Sequence, residues 1–452
     1  MYKPYRKPII TALPDIDLPE PRIKRFVVFL IRFLGRVYLF MFYGVARILL
    51  YDDEVLLNAF KRALSGESRC IIAFRHPNGG EPQVLSWFFL FRLRAIAARK
   101  GIRFARWPHA MFIYGYEVAR WGGWPVRFVM PNVGAMPIHH SKMDSAGMAR
   151  IYKAITDSPW PVALAPEGQV SYTIDDIPRL ESGVVRIGFQ AVKQLEDRNI
   201  NCPVEILPVS VHFRYGSWGK MNMEFYLRKI EKTCGITRKK ADGLSFIERL
   251  RHCRDHILRI NEKRYNIISD ASLSFEERLD SVINAALITC ERMLDIKSEG
   301  DFFTRLYRVR HICWDKIYLP KINNLENISQ VERSALDISA GEAWYISRHQ
   351  ELADFGWYFR CPLPTEETAF HNKIEYIQNL WDFANRTMGG ALSGRIHIFP
   401  RKVIIHASPA INLTGRLSEY KNNKKNEIAS VLEVLKQAYI NSIDKLNGME
   451  KG

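Results

Sequence analysis

At 452 residues the chain is long enough for two or three domains with a sizeable core, which excludes general disorder. Hydrophobic residues at 47% and charged residues at 25% are ordinary for a globular protein and exclude an exotic compositional class. The formal net charge of +17, from 65 Lys and Arg against 48 Asp and Glu, favours an anionic partner such as nucleic acid, a membrane surface or a phosphorylated metabolite. Seven cysteines (70, 202, 234, 253, 290, 313 and 361) are scattered without any Cys-x-x-Cys spacing, so they read as reduced, mostly buried thiols of an intracellular protein.

Residues 1–25 are proline-rich and lack an apolar run of signal-peptide length, so no export signal is expected. Residues 26–50, FVVFLIRFLGRVYLFMFYGVARILL, are the most apolar part of the chain, yet Arg32, Arg36 and Arg47 interrupt them. The longest uncharged run, residues 37–46, is short of the about 20 residues that cross a bilayer. On one helix at roughly 100° per residue, Arg25, Arg32, Arg36 and Arg47 fall within an arc of about 60°. That pattern fits a helix lying in the membrane interface with arginines toward lipid phosphates; the alternative is a helix on a soluble core with its arginines in water. Gly35 and Gly44 are candidate breaks into two helices. The aromatic-rich residues 87–124 fit core packing better than a membrane belt.

From Cys70 onward, short β-like runs alternate with helical patterns, the signature of an α/β domain. Strands are expected at CIIAF (70–74), VRFVM (126–130), PVALA (161–165), VEILPVSVHF (204–213) and MEFYL (223–227), with helices over 82–100, 145–156 and 184–197. Residues 242–319 read as helices, followed by another amphipathic helix after Phe370. RKVIIHASPAINL (401–413) reads as a strand, KNNKKN as a solvated loop, and EIASVLEVLKQAYINSIDKL as a closing helix. The expected organisation is an N-terminal arm with interfacial helices (1–60), a mixed-sheet α/β domain (61–235), a helical region (236–395), and a C-terminal strand and helix (396–452) that can return to the α/β domain.

One stretch carries the chemistry: IIAFRHPNGGEPQVL (71–85) ends an apolar run in His76 and places Glu81 five residues on, across a Pro-Asn-Gly-Gly turn. A histidine at a strand end with a carboxylate in the next helix's first turn can deprotonate a hydroxyl, the carboxylate fixing the tautomer. This spacing also arises by chance in ordinary strand-to-helix turns. Three later segments bear on the choice. ALAPEGQVSY (163–172) puts Pro-Glu-Gly at a second strand end, GAMPIHH (134–140) precedes a helix opened by Ser141 and Asp144, and ILPVSV (206–211) sets Pro208 in an apolar strand, as suits an edge or a pocket wall.

Together and in this order, over residues 65–230, these segments resemble the glycerolipid acyltransferase family typified by 1-acylglycerol-3-phosphate acyltransferase. The resemblance implies His76 as general base and Glu81 as its partner in a His-x4-Glu version of the family's His-x4-Asp motif. It further implies that Arg75, Gly79, Gly80, His140, Glu167, Gly168 and Gln169 contact substrate, and that Pro208 lines the acyl pocket. It implies a thioester donor, acyl-CoA or acyl carrier protein, a lipid acceptor and no metal; together with the net positive charge and the arginine-striped segment, the expected place is the cytoplasmic face of a membrane, on anionic lipid. The sequence departs from the family where arginines bind the acceptor phosphate: His140 replaces one, and Gln169 and Val170 replace a Thr-Arg pair. A histidine does not reproduce a bidentate guanidinium, so either the acceptor differs from lysophosphatidate, or Arg75, Arg179, Arg186 or Arg214 supplies the charge. Two rival readings are an acyltransferase for a non-phosphate hydroxyl or an amine, and a non-catalytic lipid-binding protein of the same fold. HCRDH (252–256) has helical i, i+4 histidines without the glutamate or third ligand of a zinc site, and no nucleic-acid module accompanies the basic helices.

Overall fold

The structure, a computed structural model, describes residues 11–16, 18–139, 144–216, 218–237, 243–268, 270, 272–320, 322, 324–390 and 395–448. Among these residues the strands are β1 (Leu13–Pro14), β2 (Val45–Tyr51), β3 (Arg69–Phe74), β4 (Met111–Gly115), β5 (Met136–Ile138), β6 (Val162–Leu164), β7 (Val204–Tyr215), β8 (Tyr318–Leu319), β9 (Arg401–Ala407) and β10 (Ile411–Asn412). The chain divides into an α/β unit, residues 18–216 with 399–452, and a largely helical unit, residues 1–17 with 217–398.

The α/β unit is built on a mixed eight-stranded sheet of order β2-β9-β7-β3-β6-β4-β5, with β10 also on β7. β7, β3, β6, β4 and β5 run parallel, while β9 and β10 run antiparallel to β7 and β2 runs parallel to β9. The C-terminal residues thus complete the sheet beside β7. Alternation along β3 gives each face its core: Ile72 and Phe74 pack on one side, Ile71 and Ala73 on the other. Helices α1 (Arg25–Tyr43), α2 (Asp53–Ser65), α3 (Glu81–Phe88) and α4 (Arg94–Arg99) contribute to the first core, and α3 runs into α4 through a π turn at Phe89–Leu93. After α5 (Tyr116–Trp121) and α6 (Gly123–Asn132), helices α7 (Ser145–Asp157) and α8 (Gly183–Asp197) with the closing helix Lys424–Gly448 form the second core.

Three expectations are corrected. Residues 126–130 lie in α6, and residues 223–227 lie in α9 (Trp218–Thr233); runs of five residues, each broken by one charge at Arg127 or Glu224, are too short for their period to decide, and Met223, Leu227 and Ile230 turn inward at helical spacing. Residues 26–50 are neither one helix nor two. Gly35 sits inside α1, where an added Cβ would lie 2.7 Å from the Trp87 ring, and Gly44, at φ 65°, ends the helix and hands the chain to β2. The arginine stripe is therefore shorter than expected. Arg47 lies on β2, and the Arg36 guanidinium turns back to donate to the Val45 and Ala46 carbonyls at 2.6 Å each.

Pro208 is also corrected, because β7 is an interior strand between β3 and β9. The Pro208 carbonyl accepts from the Ser408 amide, so its ring nitrogen faces the same side. There the ladder is interrupted between β9, which ends opposite Val209, and β10, which begins opposite Ile206. The proline occupies the gap where no strand needs its missing N–H.

In the helical unit, the helices Phe246–Arg264, Phe275–Met293, Phe302–Ile317, Gln330–Tyr358 and Phe370–Thr387 follow α9, and β1 pairs with β8. Capping boxes open two of them, Ser245 with Glu248 and Ser274 with Glu277. Buried carboxylates are each met by arginine: Glu262 by Arg278, Glu291 by Arg305, Asp382 by Arg395. All seven cysteines are free thiols, six of them buried.

One buried group makes the α/β unit acid-sensitive. His109 lies between the Trp107 and Trp160 rings, with Nε2 2.8 Å from the Val133 carbonyl, and burial pushes its pKa down to about 4. Below the ordinary value of 6.5 the unfolded chain binds a proton that the folded site refuses. Its contribution to stability is thus complete above that value and is lost as pH falls toward about 4, by up to about 1.4 kcal/mol per pH unit. The urea midpoint should fall across this window, and His109→Gln should flatten the slope; parallel pH profiles would contradict the assignment.

Candidate active site

The site starts from strand order. β3 and β6 are parallel neighbours, so their C-terminal ends, carrying His76 and Glu167, open at the same edge of the sheet. From β3 the chain turns through Pro77-Asn78-Gly79-Gly80 into α3, whose first residue is Glu81. Gly79 adopts φ +98°, a conformation disfavoured for other residues, and at Gly80 a Cβ would lie 2.7 Å from the Tyr43 ring at the end of α1. Both glycines are required, one by its dihedral and one by close approach.

The Glu81 side chain is fully buried and organises the turn. Its Oε1 accepts the Asn78 amide at 2.8 Å; its Oε2 accepts the Gly79 amide at 2.8 Å and lies 2.7 Å from His76 Nδ1. An ionised carboxylate only accepts, so Nδ1 carries the imidazole proton and Nε2 keeps its lone pair. Among the described residues nothing hydrogen-bonds Nε2, and the His76 side chain keeps 16% of its surface exposed. The contact fixes one tautomer and leaves Nε2 able to accept a proton. Gly79, expected to contact substrate, instead has its amide committed to Glu81.

Behind the base lies a second arrangement. Arg75 and Glu167 form a fully buried ion pair at 3.0 Å, and Glu167 also accepts the His76 backbone N–H at 3.2 Å. The remaining Arg75 donors hold the carbonyls of Thr173, Ile174 and Asp176, while the Ser171 amide donates to the His76 carbonyl. Arg75 and Glu167, expected at the substrate, thus bind the loop after β6 to the histidine strand. Gly168 sits in that loop at φ +76°, where a Cβ would meet the Glu181 carboxylate; Glu181 also pairs with the partly exposed Arg179 at 3.3 Å. Gln169 lies half-buried in the same loop.

Two further contributors come from the C-terminal segment. Arg401, buried at the start of β9, donates to the Asn78 side-chain oxygen at 2.7 Å and to the Tyr43 carbonyl, joining the turn to the end of α1. Tyr439 on the closing helix donates to the Ala73 carbonyl at 2.9 Å, and burial holds its phenol well above the ordinary range. Sequence spacing gave no sign of either contact, since both cross more than 300 positions.

The other expected residues lie elsewhere. His140 lies outside the described residues. Its neighbour His139 stacks on Tyr116 with ring centroids 4.3 Å apart, at the end of β5, three strands from β3. Of the arginines offered for phosphate binding, Arg214 is buried and bonded to Asn447, and exposed Arg186 donates to Ser182. Compared with known proteins, the chain matches no family model. No curated protein matches its sequence.

The buried ion pair is the stability-critical part of the site. Arg75→Met leaves the Glu167 carboxylate buried without its cation and should cost about 3–5 kcal/mol in thermal or urea unfolding. Arg179→Met, at a partly exposed pair, should cost less than about 1 kcal/mol. Equal losses would show that the bracket is not what holds the loop.

Proposed function

We propose that this protein is a membrane-surface O-acyltransferase, moving a fatty acyl group from a thioester donor to a glycerolipid acceptor with His76 as general base. The observation that carries the reading is the His76 Nδ1 to Glu81 contact, which leaves Nε2 as an unoccupied base at the exposed edge of the sheet. The ordered motifs that resemble glycerolipid acyltransferases support it, because the first and third of them meet through Arg75 and Glu167.

In this chemistry Nε2 removes the acceptor hydroxyl proton as the oxygen attacks the thioester carbonyl. The tetrahedral intermediate collapses with cleavage of the carbon–sulfur bond, and the departing thiolate takes the proton back from the imidazolium. Glu81 stabilises that transient cation. The Asn78 and Gly79 amides are engaged by Glu81, so the developing oxyanion must draw on other donors.

The apolar helix supports the surface location. α1 spans 19 residues, long and apolar enough by length and composition to cross a bilayer, with Phe29, Phe33, Leu34, Val37, Met41 and Phe42 exposed. It is better suited to lying in the interface. Val27, Val28 and Leu39 pack inward, Gly35 rests on Trp87, and the chain enters the central sheet directly after Gly44. Exposed basic residues sit at its N-cap, Lys24, at its first position, Arg25, and within it at Arg32.

Arg179 is the cation best placed to meet an acceptor phosphate. It is partly exposed and sits by Glu181 beside Gly168, whereas Arg75 and Arg214 are buried.

The reading is tested with membranes containing the protein, labelled acyl-CoA or acyl carrier protein, and a panel of lysophosphatidate, other lysolipids, glycerol phosphate and amines. His76→Ala should lower transfer by about 10²- to 10⁴-fold. Arg179→Ala should raise KM for phosphate-bearing acceptors with kcat little changed. Transfer at the same rate by wild type and His76→Ala would reject the catalytic reading, and transfer to amines alone would favour the non-phosphate alternative.

A further inference from the structure

The helical unit presents an exposed face that the reading above does not use. On α9, Trp218, Met221 and Phe225 expose 64%, 62% and 62% of their surface. At about 100° per residue they share one side with Arg228, Lys229 and Lys232, all exposed, so apolar first turns lead into basic last turns within an arc of about 100°. The opposite side is anchored. Met223, Leu227 and Ile230 are buried, and a Cβ on Gly219 would lie 2.9 Å from the Phe370 ring.

The charges are sorted in the same sense. Of the two carboxylates on the helix, Glu231 is drawn to Arg249 at 2.7 Å, and Glu224 is shared between Arg249 at 2.9 Å and Arg228 at 2.7 Å. Lys229 and Lys232 project from the exposed face, with Lys229 also over the Trp381 ring at 4.3 Å. Large apolar side chains beside lysines, with Glu231 withdrawn and Glu224 neutralised by two arginines, suit the headgroup boundary of a bilayer. They do not suit a second copy of the same face, which would set cations against cations.

We propose that α9 is a lipid-docking surface of the helical unit, taking up anionic phospholipid through Trp218, Met221 and Phe225 with Lys229 and Lys232. It extends the membrane-surface reading to the second unit and is independent of acyl transfer. Trp218 and Phe225 enter the acyl boundary while the cations remain among the phosphates, so apolar and electrostatic contributions act together.

The test is flotation of the full chain, diluted from detergent, with phosphatidylcholine vesicles made with or without phosphatidylglycerol. Trp218→Ala with Phe225→Ala, and separately Lys229→Glu with Lys232→Glu, should each lower partitioning onto the phosphatidylglycerol vesicles by roughly tenfold. The charge pair should have little effect on phosphatidylcholine alone. Circular dichroism and thermal unfolding matching wild type would confirm that these exposed substitutions leave the fold intact. Wild-type partitioning by both pairs would overturn the inference, as would a change in lipid-free sedimentation mass with partitioning unchanged, which would point to a second copy. If Phe29→Glu with Met41→Glu in α1 abolishes partitioning while both α9 pairs match wild type, this inference fails and the α1 reading stands. Loss in the α9 pairs without any acyl transfer by wild type would support the surface and reject the enzymatic reading.

Discussion

The Glu81 carboxylate is the contact on which the site depends. Fully buried, it accepts the amides of Asn78 and Gly79 and faces His76 Nδ1, so one group closes the turn, starts α3 and fixes the tautomer of the imidazole. A carboxylate stripped of water is costly unless its lone pairs are met, and here three donors converge on it. The demands on the neighbouring residues follow. Gly79 must take a positive φ to aim its amide inward, and Gly80 must lack a Cβ because Tyr43 packs on it. Burial of that phenol, with Tyr38 and Glu81 nearby, raises the Tyr43 pKa and keeps it neutral beside the acid.

Around this turn the fold gathers pieces that are remote in sequence. Parallel pairing of β3 with β6 brings Glu167 behind His76, where Arg75 ties both to the loop over residues 173–176. Antiparallel pairing of β9 with β7 brings Arg401 to Asn78 and to the end of α1. The apolar helix, the turn and the C-terminal strand therefore meet at one buried guanidinium. The end of α1 and the turn that carries His76 are adjacent in the structure for that reason.

How much of this was legible in the sequence depends on the range of the interaction. The turn is local: a strand ending at His76, two glycines and a carboxylate at the helix start are all visible within ten residues. α8 and β7 were legible from their periods. Residues 126–130 and 223–227 were not, because five residues with a single charge, Arg127 or Glu224, are too few to separate the two periods. The break at Gly44 was visible, but the apolar residues after it did not distinguish the strand β2 from a second helix. The function of Arg75 could not be read either. An arginine beside a histidine looks like a substrate ligand until its partner, 92 positions away, is seen to bury it. Arg401 lies 323 positions from Asn78 and had no local signal at all.

The most direct test of the account is the tautomer of His76. In the full chain labelled with ¹⁵N-histidine, with His76→Gln used to assign the signal, Nδ1 should appear protonated and Nε2 bare at neutral pH. Glu81→Gln should disturb that pattern. A His76 signal from the Nε2–H tautomer, or one unchanged by Glu81→Gln, would contradict the claim that Glu81 holds His76 as a base.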